Sequence, residues 1–226
     1  MISINNLCFS YTSKPPFILN NININIPKGA YVSIIGPNGS SKTTLVKLML
    51  KQLKPINGSI EVTTNKIGYV PQKVESFNSQ FTITVKEVLS CHANALNLHD
   101  KKQIDKFIER VNMKEFKNKL IGTLSGGQQQ KIFIARALMG NPELLVLDEL
   151  SAGVDHSSQK EIYGLIKDLN KRKGITILSV EHNLKLALDY STHILQLHEG
   201  KATLYTVDEY SKIINNGTLF KNRKVE

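Results

Sequence analysis

The sequence has little cysteine and no long apolar run. Cys8 and Cys91 are its only cysteines. Two are too few for a disulfide framework, which fits a reducing cytoplasm. No stretch approaches the roughly 18 consecutive apolar residues that a membrane-spanning helix needs. Residues 1–5 lack the basic region and the apolar stretch of a secretory signal. These absences argue against a secreted protein and against an integral membrane protein.

Acidic residues are also scarce. The chain has 19 of them against 29 lysines and arginines, which gives a formal net charge of +10. A positive balance favours a polyanionic partner, whether a nucleotide, a nucleic acid or an acidic membrane surface. The lysines are scattered and form no stripe interleaved with aromatic residues, so we do not expect dedicated nucleic-acid binding. With 226 residues and 41% hydrophobic content, the chain can bury a full core as one globular domain.

The first part of the chain shows the alternation of β-strands. Ile2 and Ile4 alternate with polar residues, and within residues 21–26 every second residue is an isoleucine. Residues 59–63 alternate in the same way after a turn signal at 55–58. The pattern predicts an antiparallel sheet with one solvated face.

Residues 74–123 have a pattern typical of helices. Thr84 and Glu87 have the spacing of a capping box just ahead of an apolar pair. One face of a second helix is marked by Ile104, Phe107, Ile108 and Val111. This stretch interrupts the β-rich pattern and is a candidate subdomain.

The remainder alternates between helices and apolar strands. The predicted elements are a helix at about 128–139, a strand at 144–147, a helix ending at Gly174, a strand at 175–180 and a hairpin at 194–205. The inner face of the helix before Gly174 comprises Ile162, Leu165, Ile166 and Leu169. Strand–helix alternation with apolar strands predicts an α/β core with a parallel sheet.

Residues 36–44 join an apolar run at 31–35 to a helical pattern that begins at Leu45. A strand, a glycine loop, a lysine with a hydroxyl residue, and then a helix form the order of a phosphate-binding P-loop. The backbone N–H groups and the helix N-terminus would bind the anion. Lys42 would reach the β- and γ-phosphates, and Thr43 would hold Mg²⁺.

Ser41 departs from the strict P-loop pattern, which has glycine directly before the lysine. A serine keeps the backbone N–H donor but loses freedom at positive φ and adds a side chain. A Gly/Ser turn between strand and helix, with no ligand, therefore remains an alternative for this loop.

Two further stretches carry groups that could act on a nucleotide. Asp148 and Glu149 follow the strand at 144–147, where one carboxylate could complete a Mg²⁺ shell and the next could polarise water. Residues 124–128 open a helix with two glycines, which lets backbone approach a phosphate. The alternatives are an exposed acidic turn and a simple helix cap.

These motifs, in this order, resemble the nucleotide-binding subunits of ABC transporters over nearly the whole chain. The matching elements are the adenine-stacking aromatic Tyr11, Walker A at 36–44, the Q-loop residue Gln72, the signature at 124–128, the end of Walker B at Asp148 and Glu149, the D-loop at 151–155 and the switch histidine His182. Singly, an exposed tyrosine or a capping histidine would carry little weight. The whole set of motifs in this order is not expected by coincidence.

The resemblance implies an α/β fold, with a parallel-sheet ATP-binding core, an antiparallel β subdomain and a helical subdomain. The chain would be a single ABC ATPase domain, with the first two parts in residues 1–73 and 136–226 and the helical subdomain at about 74–135. Two copies would form a homodimer in the ATP-bound state. Each ATP would lie between the Walker A of one copy and the signature of the other.

The resemblance also implies the site residues and the cofactors, which are ATP and Mg²⁺. The ATP-binding residues would be Tyr11, Gly36, Pro37, Asn38, Gly39, Ser40, Ser41, Lys42, Thr43 and Thr44. The catalytic residues would be Lys42 on the phosphates, Glu149 as general base and His182 at the γ-phosphate. The Mg²⁺ ligands would be Thr43, Gln72 and Asp148. The second copy's ATP would be contacted by Ser125, Gly126, Gly127 and Gln128, with Asp155 in the D-loop.

The implied function is ATP hydrolysis that powers import through a separate membrane permease. The chain would lie peripherally on the cytoplasmic face of the cell membrane, with an extracytoplasmic solute-binding protein as an indirect partner and no nucleic acid. Residues 68–72 and 151–155 resemble the branch that imports zinc, manganese or iron chelates. Within that branch, residues 152–155 and 128–130 favour zinc. Leu150, where the family has proline, and Glu181, where a small polar residue is commoner, depart from the pattern.

Three alternatives remain open. The first is an ATPase subunit for another small-solute ABC transporter. The second is a soluble ABC-type ATPase acting on nucleic acid or ribosomes, although such proteins usually carry two fused cassettes or a coiled-coil insertion. The third is a regulatory module in which Ser41 has abolished turnover but not ATP binding.

Overall fold

The computed structural model describes residues 1–72, 82–98, 101–151 and 153–216, with the backbone alone at 101 and 102. The chain divides into two units, Met1–Thr63 with Thr176–Glu226, and Thr64–Ile175. The expected subdomain boundary at 73–74 and the D-loop residue Ala152 lie outside the described residues.

The first unit contains a three-stranded antiparallel sheet in the order β2-β1-β4. Its strands are β1 (Ile2–Phe9), β2 (Leu19–Ile26) and β4 (Asn57–Val62). Ile2 pairs with Ile26 and Ile4 with Ile24, so the isoleucines share a buried face while the asparagines of β2 remain exposed. The predicted antiparallel sheet with one solvated face is confirmed.

The first unit also contains the strand that leads into the P-loop, β3 (Tyr31–Ile35). β3 pairs in parallel with β7 (Thr176–Val180) and with β8 (His193–His198). β8 then forms the predicted hairpin with β9 (Lys201–Thr206). Every residue of β3 and β7 is buried, as expected of parallel strands covered on both faces.

The described part of this unit contains three helices: α1 (Lys42–Met49), α6 (Leu184–Tyr190) and α7 (Val207–Asn215). The sequence reasoning missed α6 and α7. The signal for α7 was its capping box, in which the Thr206 hydroxyl accepts from the N–H of Glu209 and the Glu209 carboxylate accepts from the N–H of Thr206. Both helices contribute to a buried cluster of Ile35, Ala187, Ile194 and Tyr210.

In its described residues, the second unit combines a parallel strand pair with four helices. Its elements are β5 (Ile67–Val70), α2 (Val85–Ala95), α3 (Lys101–Arg110), α4 (Gly126–Leu138), β6 (Leu144–Asp148) and α5 (His156–Lys173), with short 3-10 helices at Lys114–Phe116 and Ile121–Thr123. The capping box of Thr84 and Glu87 opens α2, and the predicted apolar face of α3 is buried. The predicted α/β class is confirmed.

Three details of the second unit differ from the prediction. α4 begins at Gly126, two residues earlier than expected, because Ser125 caps it. Asp148 is the last residue of β6 and is buried with it, whereas an acid following the strand was expected. Leu165 is only partly buried, and Tyr163 fills the inner face of α5 beside Ile162 and Ile166.

Helix α5 allows a test of backbone strain with two glycines. Gly174 ends the helix at φ 64°, and Gly164 lies inside it with open space where a Cβ would stand. Gly174→Ala should lower the free energy of unfolding by about 1 kcal/mol, because alanine is strained at positive φ. Gly164→Ala should raise it by about 0.5–1 kcal/mol, because glycine is a poor residue inside a helix. Urea denaturation measures both, and equal signs for the two changes would contradict the interpretation.

Candidate nucleotide-binding site

The P-loop connects β3 to α1 and turns sharply at its first residue. A Cβ at Gly36 would lie 2.4 Å from the carbonyl oxygen of Leu197 in β8 and 2.6 Å from the hydroxyl of Ser40. No side chain fits there, so the packing of β8 against the loop requires glycine. Gly39 has φ 80° and completes the turn.

Lys42 is the first residue of α1 and is only 6% exposed. Its Nζ donates hydrogen bonds to the carbonyl oxygens of Gly36, at 3.0 Å, and Pro37, at 3.1 Å. The ammonium group is thereby held across the loop at the positive end of the helix. Phosphate oxygens, as stronger acceptors, can replace the two carbonyls.

Ser41 has φ 70° and ψ 26°, which is the left-handed conformation, and its side chain makes no capping hydrogen bond to α1. This is the positive φ that the glycine of the P-loop pattern adopts freely and a serine does not. A left-handed L-residue costs about 1–2 kcal/mol. The conformation explains why the P-loop pattern has glycine here.

A cavity of about 300 Å³ lies beside the loop within the first unit. Its lining comprises Phe17, Ile18, residues 37–41 and the β8–β9 turn at 198–200. Apolar side chains on one wall and loop backbone on the other form a surface suited to part of a nucleotide.

Tyr11 lies over the start of α1 and is 65% exposed. Its hydroxyl shares a hydrogen bond of 3.0 Å with the Thr44 hydroxyl. Its ring contacts Phe9 edge to face, with 5.2 Å between the ring centroids. These two contacts fix the ring and leave a large part of it open for stacking.

In the second unit, Gln72, Asp148 and Glu149 lie together. The Gln72 amide donates to the Glu149 carboxylate, and the Tyr69 hydroxyl donates to Asp148 Oδ2 at 3.4 Å. Burial, and then the charge of Asp148, raise the pKa of Tyr69. The alternative of an exposed acidic turn therefore does not hold for Asp148, which is 3% exposed.

Glu149 and Leu150 form the turn after β6. Glu149 has φ 51°, so the chain bends sharply between the two carboxylates. Leu150 is 1% exposed and belongs to the core of its unit. A buried leucine anchors the chain where the ABC pattern has proline.

The signature residues form the first turn of α4. Ser125 and Gln128 make a capping box, in which the Gln128 amide oxygen accepts from the N–H of Ser125 and the Ser125 hydroxyl accepts from the N–H of Gln128. A Cβ at Gly127 would lie 2.6 Å from the Cβ of Ser158 in α5, and one at Gly126 would lie 2.8 Å from the carbonyl oxygen of Gly153. These residues therefore cap α4, which leaves a role in phosphate binding untested, and both glycines are also required by packing.

The D-loop residue Asp155 caps α5. Its Oδ1 accepts from the N–H of Ser158 at 3.0 Å. Hydrogen bonds from the side chain and backbone of Ser158 lower the pKa of Asp155. The signature and the D-loop thus meet at Ser158.

His182 is exposed and follows β7 directly after Glu181. The Glu181 N–H donates to the carbonyl oxygen of Ile34 at 2.9 Å, which places this turn beside the end of β3. The first unit therefore brings together the P-loop, Tyr11 and the turn that carries His182. The second unit brings Gln72 to the two carboxylates, and the signature to Asp155.

Tyr69 is a residue of the candidate site that sequence reasoning missed. It lies in the predicted strand at 67–70, but its contact with Asp148 depends on the parallel register of β5 and β6, in which Tyr69 pairs with Val146. In the sequence, a polar aromatic residue two positions before Pro71, near the end of a predicted strand, was the one indication that Tyr69 could belong to the site.

Comparison with known proteins agrees with this geometry. The family model described as ABC transporter matches residues 19–152. A "Probable metal transport system ATP-binding protein" of Treponema pallidum is 46% identical over 209 residues, covering 92% of this chain and 87% of the relative. The chain belongs to the ABC transporter family. The zinc uptake system ATP-binding protein ZurA of Listeria monocytogenes is 40% identical to this ABC protein, covering 88% of the chain and 83% of the relative.

A solved structure shows the same fold. The dimeric post-hydrolysis state of the ATP-binding cassette MJ0796, bound to ADP and Pi, matches with a TM-score of 0.75 and 26% identity. The match covers 92% of this chain and 99% of that cassette. Among the residues that the structure describes, none of the helices has the length and apolar character needed to cross a bilayer.

Ser41→Gly tests the strain in the P-loop of this ABC protein. Glycine removes the backbone strain of the left-handed serine. ATP hydrolysis should therefore be as fast as in the original protein or faster, and the free energy of unfolding should rise by up to about 1 kcal/mol. Lys51→Gly is the matched control, because Lys51 is exposed, has φ 58° and lies just beyond α1. The control should affect stability alone. A large loss of hydrolysis in Ser41→Gly would show that the hydroxyl has a role in the reaction.

Proposed function

We propose that this ABC protein is the ATP-hydrolysing subunit of a metal-ion importer, with zinc as the metal. Hydrolysis is supported chiefly by the buried Asp148 followed by Glu149, to which the Gln72 amide is bonded. Import of zinc is supported by the names of the relatives, which are a metal transport protein and a zinc uptake protein. Those names do not favour another solute, nucleic acid or ribosomes.

The nucleotide is bound through the P-loop and Tyr11. The N–H groups of residues 39–44 and the Lys42 ammonium hold the phosphates, and the Tyr11 ring stacks on adenine. Support comes from the position of Lys42 at the start of α1 and from the two contacts that fix the Tyr11 ring. The remaining loop residues, Gly36, Pro37 and Asn38, shape the turn.

In the proposed hydrolysis, each polar side chain of the site has a separate role. Glu149 acts as general base on the attacking water, and His182 contacts the γ-phosphate. Thr43, Gln72 and Asp148 would hold Mg²⁺, which would neutralise phosphate charge. A carboxylate, a hydroxyl and an amide oxygen are the hard donors that Mg²⁺ prefers, so the residues fit the ion.

The second ATP-contacting surface is the signature, Ser125, Gly126, Gly127 and Gln128, with Asp155 nearby. In the proposed homodimer these residues contact the ATP held by the other copy. The comparison cassette supports this proposal, because it was solved as a dimer. The N–H groups at the start of α4 are suited to phosphate oxygens.

Transport requires a membrane permease as a separate chain, with the ABC protein docked on its cytoplasmic side. An extracytoplasmic solute-binding protein would deliver the metal to that permease, and nucleic acid is not a partner. Within the ABC protein, the proposed helical subdomain spans about residues 74–135, as the resemblance implies. The metal passes through the permease and does not touch this subunit.

Glu149→Gln tests the enzymatic part of the proposal. The amide keeps the size of the side chain but cannot take a proton, so turnover should fall by about two orders of magnitude or more while ATP binding persists. Glu143→Gln is the control, since Glu143 lies just before β6 in an exposed ion pair with Lys66. Phosphate release and nucleotide titration measure the two properties. A Glu149→Gln protein that hydrolyses ATP at the original rate would contradict the role of Glu149, and an original protein without turnover would favour the regulatory module.

Metal uptake in the native host tests the transported species. Deletion of the gene should lower uptake of radioactive zinc at low external zinc, and the original gene should restore it whereas the Glu149→Gln form should not. Manganese uptake is the internal control. Loss of manganese uptake with normal zinc uptake would replace zinc by manganese in the proposal.

A further inference from the structure

The turn between β7 and α6 contains a buried acid to which the proposed mechanism gives no role. Glu181 is 1% exposed, whereas His182 beside it is exposed. Burying a carboxylate is unfavourable unless other groups donate hydrogen bonds to it. The groups that donate to this carboxylate therefore decide what it does in the fold.

Glu181 is anchored through both its backbone and its side chain. Its N–H donates to the carbonyl oxygen of Ile34 at 2.9 Å, one residue before the end of β3. Its Oε1 accepts a hydrogen bond from the hydroxyl of Ser179, which is itself fully buried. The residue before His182 is therefore fixed to the strand that leads into the P-loop.

The residue after His182 is anchored as well. Asn183 caps α6, and its Oδ1 accepts from the N–H groups of Lys185, at 3.0 Å, and Leu186, at 3.3 Å. His182 is thus an exposed residue between two fixed ones. Such an arrangement limits the directions in which the imidazole can point.

A second buried group is close enough to sense Glu181. The phenol of Tyr31, at the start of β3, has its pKa raised well above its usual value, first by burial and then by the charge of Glu181. The carboxylate therefore lies on the face of the sheet that carries Tyr31 and Ser179, beneath the turn. The contacts with Ser179 and with Ile34 join Glu181 to two strands of the sheet, so an effect of these contacts on the reaction passes through the turn.

We propose that Glu181 is a positioning residue, whose buried carboxylate holds the β7–α6 turn so that His182 points toward the γ-phosphate. This inference rests on the proposed role of His182 in hydrolysis. Glu181 itself touches neither ATP nor Mg²⁺. Loss of its anchoring should therefore lower the rate of the chemical step and leave nucleotide binding unchanged.

A double-mutant cycle with His182 tests the proposal. Glu181→Ala should lower kcat at least fivefold while KM for ATP stays within twofold of the original value. In the His182→Ala background the same change should have no further effect, because Glu181 acts only through His182. Single-turnover measurements make the slow variants comparable. A purely structural contribution would lower the rate by the same factor in both backgrounds.

Two further variants define the interaction. Glu181→Gln should retain at least half of kcat, because the amide oxygen still accepts from Ser179. Ser33→Ala is the matched control. Ser33 lies on β3, is as buried as Ser179 and pairs in register with it, but its hydroxyl bonds to the Ser191 hydroxyl, at 2.5 Å. It should leave kcat and KM unchanged.

The histidine resonances provide a readout that does not depend on turnover. In NMR spectra of the ring protons, the His182 signal, identified by its loss in His182→Ala, should shift in Glu181→Ala and stay in place in Ser33→Ala. The proposal would be overturned by a His182 signal that does not move or by an unchanged kcat in Glu181→Ala. It would also be overturned by additive losses in the double-mutant cycle, or by a Glu181→Gln variant as slow as Glu181→Ala. An inactive original protein would instead contradict the proposed function, and the NMR comparison would still decide the positioning role. Should Glu181→Ala fail to fold, Ser179→Ala replaces it, since it removes the same hydrogen bond.

Discussion

The parallel pairing of β3 with both β7 and β8 is the constraint on which the first unit's part of the site depends. Parallel strands end at the same edge of a sheet, so the residues that follow them must meet there. Gly36 follows β3, Glu181 and His182 follow β7, and the cavity-lining turn at 198–200 follows β8. The carbonyl oxygen of Leu197 in β8 then leaves no room for a side chain at Gly36. The P-loop has its shape because of its neighbours as much as because of its own residues.

The features that could be predicted were those with local causes. Alternating isoleucines, the capping box of Thr84 and Glu87, and the glycine at 174 depend on residues close in sequence. They predicted the antiparallel strands, the start of α2 and the end of α5, and the order of the motifs predicted the family. The features that could not be predicted depend on distant residues. The contact between Tyr69 and Asp148, the hydrogen bond between the Tyr11 and Thr44 hydroxyls and the burial of Glu181 all depend on the packing of strands that sequence spacing does not reveal.

The three departures from the family pattern have three different physical meanings. Ser41 occupies a left-handed conformation that glycine would adopt with less strain, so it affects the loop through its backbone. Leu150 replaces proline by filling the core, which anchors the same turn through apolar packing. Glu181 replaces a small residue by a buried carboxylate that bonds to Ser179. Only the last adds a group that could change how a neighbouring side chain acts.

The meeting of α4 and α5 at Ser158 couples two motifs that lie far apart in the sequence. The Cβ of Ser158 stands where a side chain on Gly127 would have to go, while its N–H bonds to Asp155. Any enlargement at position 127 is therefore blocked as long as residue 158 carries a Cβ. Among descendants of this gene the two positions should not drift independently. Ser158 lies outside every named motif, yet selection on the signature should also act on position 158.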